Sequence, residues 1–160
     1  MPETLQTLEL AAADRLHEAA ALLKAGRPGG AIYVSGLAAE MALKVVVFRL
    51  EGHRPDSVIH ASLSPLNRVW VRQHLPALYN QHESFHSLYF WGQVVLAMRR
   101  YHGRVPQRSL ALRTGACVGR LYQTWWIQMR YRPDQALLSE ARQSYDDARW
   151  FYDHRAALWS

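Results

Sequence analysis

Residues 31–50 read AIYVSGLAAEMALKVVVFRL. Wound as a helix, this run is apolar nearly all round, broken only by Glu40, Lys44 and Arg49. A helix of that kind belongs at the centre of a protein, with other helices packed about it. The same three charges argue against lipid as its surroundings. Gly36 shares a stripe with Tyr33, Glu40 and Lys44, and its missing side chain would let a neighbouring helix come close. Glu40 and Lys44 stand in the favourable i, i+4 order for an ion pair. On a helix with so little exposed surface the pair is either a structural tie or a ligand contact, because burying charge is costly.

Working outward, Leu5, Leu8, Ala12, Leu16, Ala19 and Leu23 recur at steps of three and four, an amphipathic helix closed by GRPGG at 26–30. Ser64 and Pro65 read as a cap and first helical position, opening a segment that Pro76 must end or bend. A further helix carries His82 and His86 with Phe85, Leu88, Tyr89, Val95, Leu96 and Met98 on its apolar side, and stops near Gly103 and Pro106. Ser109 can cap the next, which runs to Arg130. Pro133 and Asp134 start a last one through Leu137, Ala141, Tyr145, Ala148 and Tyr152. No strand of period two, no repeat and no linker interrupts the series. The expected fold is all-α, an antiparallel helical bundle of five to six helices in one domain spanning 1–160.

A chain of 160 residues is long enough to bury a core without disulfides or a structural metal. Cys117 is the only cysteine, so no internal disulfide forms and no cysteine-type zinc site exists. It reads as a small buried apolar residue, with a reactive thiol as the alternative. The opening MPETLQTLEL lacks the basic start and apolar run of a signal peptide, and no stretch reaches the roughly 18 apolar residues a membrane span requires. A cytoplasmic protein without membrane contact and without a cofactor is expected.

The formal charge of +6 is unevenly placed. From Ser84 to Pro133 there is no Asp or Glu, while Arg99, Arg100, Arg104, Arg108, Arg113, Arg120, Arg130 and Arg132 all lie there. Such a segment suits phosphates, and the interleaved Tyr89, Trp91, Tyr101, Tyr122, Trp125 and Trp126 could stack on bases. The alternative makes the aromatics core and the arginines a solvated face or an oligomer contact.

His82, Glu83 and His86 spell H-E-x-x-H. On a helix, two histidines one turn apart can bind Zn²⁺ while the glutamate polarises a metal-bound water. A zinc-dependent hydrolase is therefore one reading. It lacks a third ligand at the right distance and a sheet for the substrate, so incidental metal binding by His82 and His86, or none, is the competing one.

GGAIYVSGLAAEMALKVVV, after an amphipathic helix ending in LLKAGRPGG, resembles the second helix of the HEPN family (higher eukaryotes and prokaryotes nucleotide-binding), whose pattern is A-x-Y-x-x-G-x-A-x-E-x-x-L-K. Ala31, Tyr33, Gly36, Ala38, Glu40, Leu43 and Lys44 supply it. MRYRPDQALLSEARQSYDDARWFYDHR is similar to the family's ending, with Arg132 intervening between Tyr131 and Pro133. The resemblance covers roughly residues 10–60 and 125–158. It implies an RNA- or nucleotide-associated protein, commonly a homodimer, either an inactive partner of a nucleotidyltransferase, toxin–antitoxin or defence system or a metal-independent endoribonuclease. In the latter an arginine and a histidine four to six residues apart meet across a dimer. Arg149 with His154 match that spacing, and Arg68 with His74 are the alternative; the residues after each arginine, Trp150 and Val69, depart from the small polar residue usual in the family. A histidine can move protons during attack of a 2′-hydroxyl, and a guanidinium can hold the charge growing on phosphorus.

Overall fold

Proline and glycine set most of the boundaries. The computed structural model describes residues 3–59, 65–81, 86–104, 107–125 and 136–160, with the backbone alone at 65–68, 80 and 81. Among them lie α1 (Leu5–Lys24), α2 (Pro28–Leu50), α3 (Pro65–His74), α4 (Pro76–Gln81), α5 (Leu88–Tyr101), α6 (Arg108–Thr124) and α7 (Leu138–Trp159). The described residues contain no strand, only an isolated bridge between Thr4 and Val58. The fold is all-α. The described residues form seven helices where the sequence suggests five or six, because Pro76 opens a separate six-residue helix instead of merely ending α3. Proline suits a first helical position, where its missing N–H would have had no partner.

α2 is the spine. Fourteen of its 23 residues are buried, and α1, α5 and α7 all pack on it. By length and composition α2 could also cross a membrane, contrary to the sequence reading; 72% of its most apolar window is buried inside the protein. A smaller apolar cluster of Leu5, Val45, Phe48 and Ile59 closes one end, and Trp159 and Leu8 pack against it. There the 51–59 loop covers the start of α1, its Ser57 and Pro55 carbonyls accepting from the amides of Leu5 (3.0 Å) and Gln6 (2.8 Å). These are amides a helix cannot satisfy internally. Thr4 caps the same end, its hydroxyl accepting from the Thr7 amide at 3.2 Å.

Gly36 does admit a close neighbour, but the neighbour is a side chain. The indole of Trp125 lies across it so tightly that a Cβ there would fall 2.1 Å from the ring. The indole N–H donates to the Tyr33 carbonyl at 2.9 Å. Trp125 reaches this seat because it leaves the helix, with φ −112° and ψ 131°. α6 therefore ends at Thr124 and not at Arg130. Gly92 performs the service expected of a helix contact: a Cβ there would meet Val118 of α6 at 2.6 Å.

Two other boundaries move. α5 begins only at Leu88, where the Ser87 hydroxyl accepts from the Phe90 amide at 3.2 Å, so His86 precedes the helix that the sequence assigns it to. α7 begins at Leu138, with the Glu140 carboxylate accepting from the Leu137 amide at 3.0 Å. Pro133 and Asp134, read as its start, lie outside the described residues, as do Ser64, Phe85 and Pro106.

Candidate functional site

The arginines divide by what they touch. Arg99 is only 5% exposed, and its Nη1 donates to the carbonyls of Ala157 (3.0 Å), Leu158 and Ser160 (3.2 Å). Arg104 donates to the Trp159 carbonyl. Together they cap the carbonyl end of α7, where cations suit the helix dipole. Arg120 forms a two-pronged pair with Asp147, Nε to Oδ2 at 2.8 Å and Nη2 to Oδ1 at 2.6 Å, tying α6 to α7. All three are engaged by groups of the protein itself, Arg99 in the interior and Arg104 at the surface. Arg100, Arg108 and Arg113 are exposed, and among the described residues none of them meets a carboxylate. Arg130 and Arg132 lie outside the described residues. Of the interleaved aromatics, Trp91 and Trp125 are core, Tyr89, Tyr101 and Tyr122 are exposed, and Trp126 is not described.

Arg149 and His154 both sit on α7 but do not converge. Arg149 pairs with Asp153 at 3.4 Å on the open surface. His154 instead stacks on Trp150, ring centroids 4.7 Å apart and planes 21° from parallel. Its Nδ1–H donates to the Trp150 carbonyl at 2.9 Å. A carbonyl only accepts, so the neutral ring carries its proton on Nδ1 and leaves Nε2 as a base. The Arg113 guanidinium lies 6.0 Å from the centre of the Trp150 ring. His154, Trp150 and Arg113 line an open cavity of about 560 Å³ between α6 and the last turns of α7, together with Arg99, Gln107 and Ser109. The arginines that share this cavity with His154 are therefore Arg113 and Arg99, from other helices.

His74 repeats the arrangement on α3. It stacks on Trp70 at 4.6 Å, its Nδ1–H donates to the Trp70 carbonyl at 2.9 Å, and Tyr101 covers its edge at 4.9 Å. The side chain of Arg68 lies outside the described residues. Both histidines follow a tryptophan by four places, a spacing that puts the two rings on one helix face. That spacing is present in the sequence and points to Trp150, which the spacing of arginines and histidines does not.

On α2, Lys44 pairs with Glu40 as expected, and Glu40 is 4% exposed. The carboxylate also accepts from His86 Nδ1, 3.2 Å from Oε1. The Lys44 ammonium lies 5.3 Å from the centre of the Trp91 ring. One histidine of H-E-x-x-H is thus held by an acid 46 residues away; His82 and Glu83 lie outside the described residues. Among the described residues no three His, Cys, Asp or Glu side chains cluster as a metal site would need.

Two further titratable groups are withdrawn from water, one fully and one in part. Cys117 is fully buried, and burial, with Asp147 nearby, pushes its thiol up to about 12. It is an inert core residue. Glu51, at the end of α2, is pushed up to about 7 by burial; its Oε2 has no hydrogen-bond partner and stands 3.7 Å from His53.

The chain matches no family model, no curated protein and no solved structure. The site must be read from its own chemistry.

Proposed function

We propose that the chain is a HEPN-type helical bundle that associates with RNA or nucleotides, as a homodimeric partner subunit of a toxin–antitoxin, nucleotidyltransferase-linked or defence module. The observation that supports this reading is the trio Arg100, Arg108 and Arg113. They are exposed within a segment that has no acid, and no described carboxylate neutralises them. Guanidiniums so placed attract phosphates by releasing condensed counterions, which makes the affinity fall as salt rises. Binding of a single-stranded RNA 20-mer, followed by anisotropy across a salt series, tests the reading. Changing all three arginines to alanine should flatten the log–log salt slope by about 2, since each single-strand phosphate contact contributes about 0.7. Absent or salt-insensitive binding would refute it.

The fixed tautomer of His154 favours a second reading, a metal-independent endoribonuclease. Nε2 would take the proton of a 2′-hydroxyl, and Arg113, in place of Arg149, would hold the charge on phosphorus. The test is cleavage of single-stranded RNA in chelator. His154→Ala and Arg113→Ala should abolish it and Arg149→Ala should spare it; loss only with Arg149→Ala would return the role to that residue.

A further inference from the structure

Of the described aromatic side chains in the acid-free segment, Phe90, Trp91 and Trp125 are core, and Tyr101 is the most exposed, at 61% against 52% for Tyr122 and 38% for Tyr89. Tyr101 is the last residue of α5. Its ring stands beside the Trp70–His74 stack of α3, 5.8 Å from the tryptophan and 4.9 Å from the histidine, at 81° and 71° to them. Such near-perpendicular contacts are favoured because the positive edge of one ring meets the negative face of another. His102 adds a third ring, 5.3 Å away and at 84°. The stack is itself tied down, its planes 15° from parallel and the histidine N–H bonded to the Trp70 carbonyl. A lone exposed apolar side chain is ordinary on a protein surface. This one differs in being pinned by three other rings while most of its own surface stays open.

The charges say what kind of ligand suits it. Neither α3 nor α5, the two helices that build the cluster, contains an Asp or Glu. Arg72 on α3, Arg100 on α5 and Arg104 just beyond it are exposed, and among the described residues no carboxylate pairs with any of the three. Arg104 is steered by the Trp159 carbonyl, a neutral acceptor that leaves its charge in place. The surroundings therefore complement a polyanion, while the ring complements a flat apolar face. A strand of nucleic acid carries both. A base within a duplex has its faces covered by its neighbours, so the base that fits is an unpaired one.

We propose that Tyr101 is a stacking platform for an unpaired base of single-stranded RNA, with Arg100 and Arg104 on the flanking phosphates and the Trp70–His74 pair holding the ring in place. Stacking of this kind tolerates any sequence, because every base has a π-face. A ring already fixed in position loses little freedom when a base settles on it, so more of the contact appears as affinity. The proposal rests on the RNA-associated reading and adds to its arginines a contact that salt does not screen.

The test uses the full chain and two end-labelled 12-mers, a single-stranded RNA and a ribose-phosphate strand of the same length without bases, compared by anisotropy at one salt concentration. The RNA should bind about tenfold tighter, the order of effect that one base–aromatic stack produces. Tyr101→Ala should remove most of that preference and Tyr101→Phe should keep it. Arg100→Ala should weaken both strands by the same factor, because it touches only phosphate. If Tyr101→Ala fails to fold, Tyr101→Leu decides, since it keeps an apolar side chain against Trp70 and His74 but offers no π-face; it too should lose the preference. If both strands bind the wild type alike with steep salt dependence, RNA binding stands and the platform is refuted. A preference for bases that survives Tyr101→Ala also refutes the platform at this residue. If Tyr101→Ala instead converts a dimer to a monomer in sedimentation, the ring is covered by a second copy of the chain and the platform falls. If neither strand binds, both the platform and the RNA-associated reading fall.

Discussion

Four glycines on helices make opposite demands. Gly36 and Gly92 lie under a ring and a valine that a methyl group would strike, whereas Gly115 and Gly119 of α6 have nothing within 4 Å of where a Cβ would stand. Gly36→Ala should therefore destabilise the protein by about 1–3 kcal/mol or more, since the indole of Trp125 must leave its seat and its bond to the Tyr33 carbonyl. Gly115→Ala should do the reverse. Removing an exposed mid-helix glycine gains about 0.5–1 kcal/mol, and the melt should rise by about 2–4 °C per kcal/mol in a domain of this size. Calorimetry on the two variants checks both signs. A drop with Gly115→Ala would mean that α6 meets something in solution. The sequence pointed to Gly36 as a place of close approach but could not show that a side chain from 89 positions later fills it. That contact depends on α6 ending at Thr124, and the local sequence, QTWWIQ, has no proline or glycine to announce the end.

Between elements, the strongest polar tie is Arg120 of α6 to Asp147 of α7. Its two ends are unequal: the Asp147 side chain is fully buried and that of Arg120 is 37% exposed. Arg120→Met should leave a buried carboxylate to the neutral donors beside it, Gln143 at 3.2 Å and the Cys117 thiol, and cost about 3 kcal/mol. Asp147→Asn leaves an arginine that water can reach, and should cost nearer 1–2 kcal/mol. Urea denaturation of the two variants measures the difference, and equal losses would contradict the asymmetry. Helix identity was largely legible in the sequence, from the spacing of three and four in α1 and α7 and from the long apolar run of α2. Boundaries were less so. Ser109 looked like a cap yet lies inside α6, and H-E-x-x-H looked helical yet His86 sits in the turn before Ser87, turned toward Glu40 on α2. Long-range partners of that kind leave no mark on local spacing. The same holds for the cavity: local spacing pairs His154 with Arg149, whereas the arginines that share its cavity, Arg99 and Arg113, come from α5 and α6.

For the molecule as a whole, Glu51 makes stability depend on pH. Its carboxyl rises from 4.5 to about 7 on folding because burial disfavours the charged form. The folded state thus holds the proton more tightly than the unfolded one. The resulting stabilisation is complete below pH 4.5 and lost as pH rises through about 7, a total of about 3 kcal/mol. The His53 Nε2 stands 3.7 Å from this carboxyl, and Arg49 donates to the His53 carbonyl. Melting curves from pH 5 to 8 should show the wild type falling relative to Glu51→Gln, the gap opening with pH; parallel curves would remove Glu51 as the cause. Near the same end of the protein, Trp159 packs on the cluster that holds Leu5. The start of the first helix and the end of the last therefore lie side by side, and their order along the chain is not dictated by how they pack. A circularly permuted version, cut at the exposed Ala25–Gly26 turn and joined by a short linker from Ser160 to Glu3, would follow a new thread through the same arrangement of neighbours.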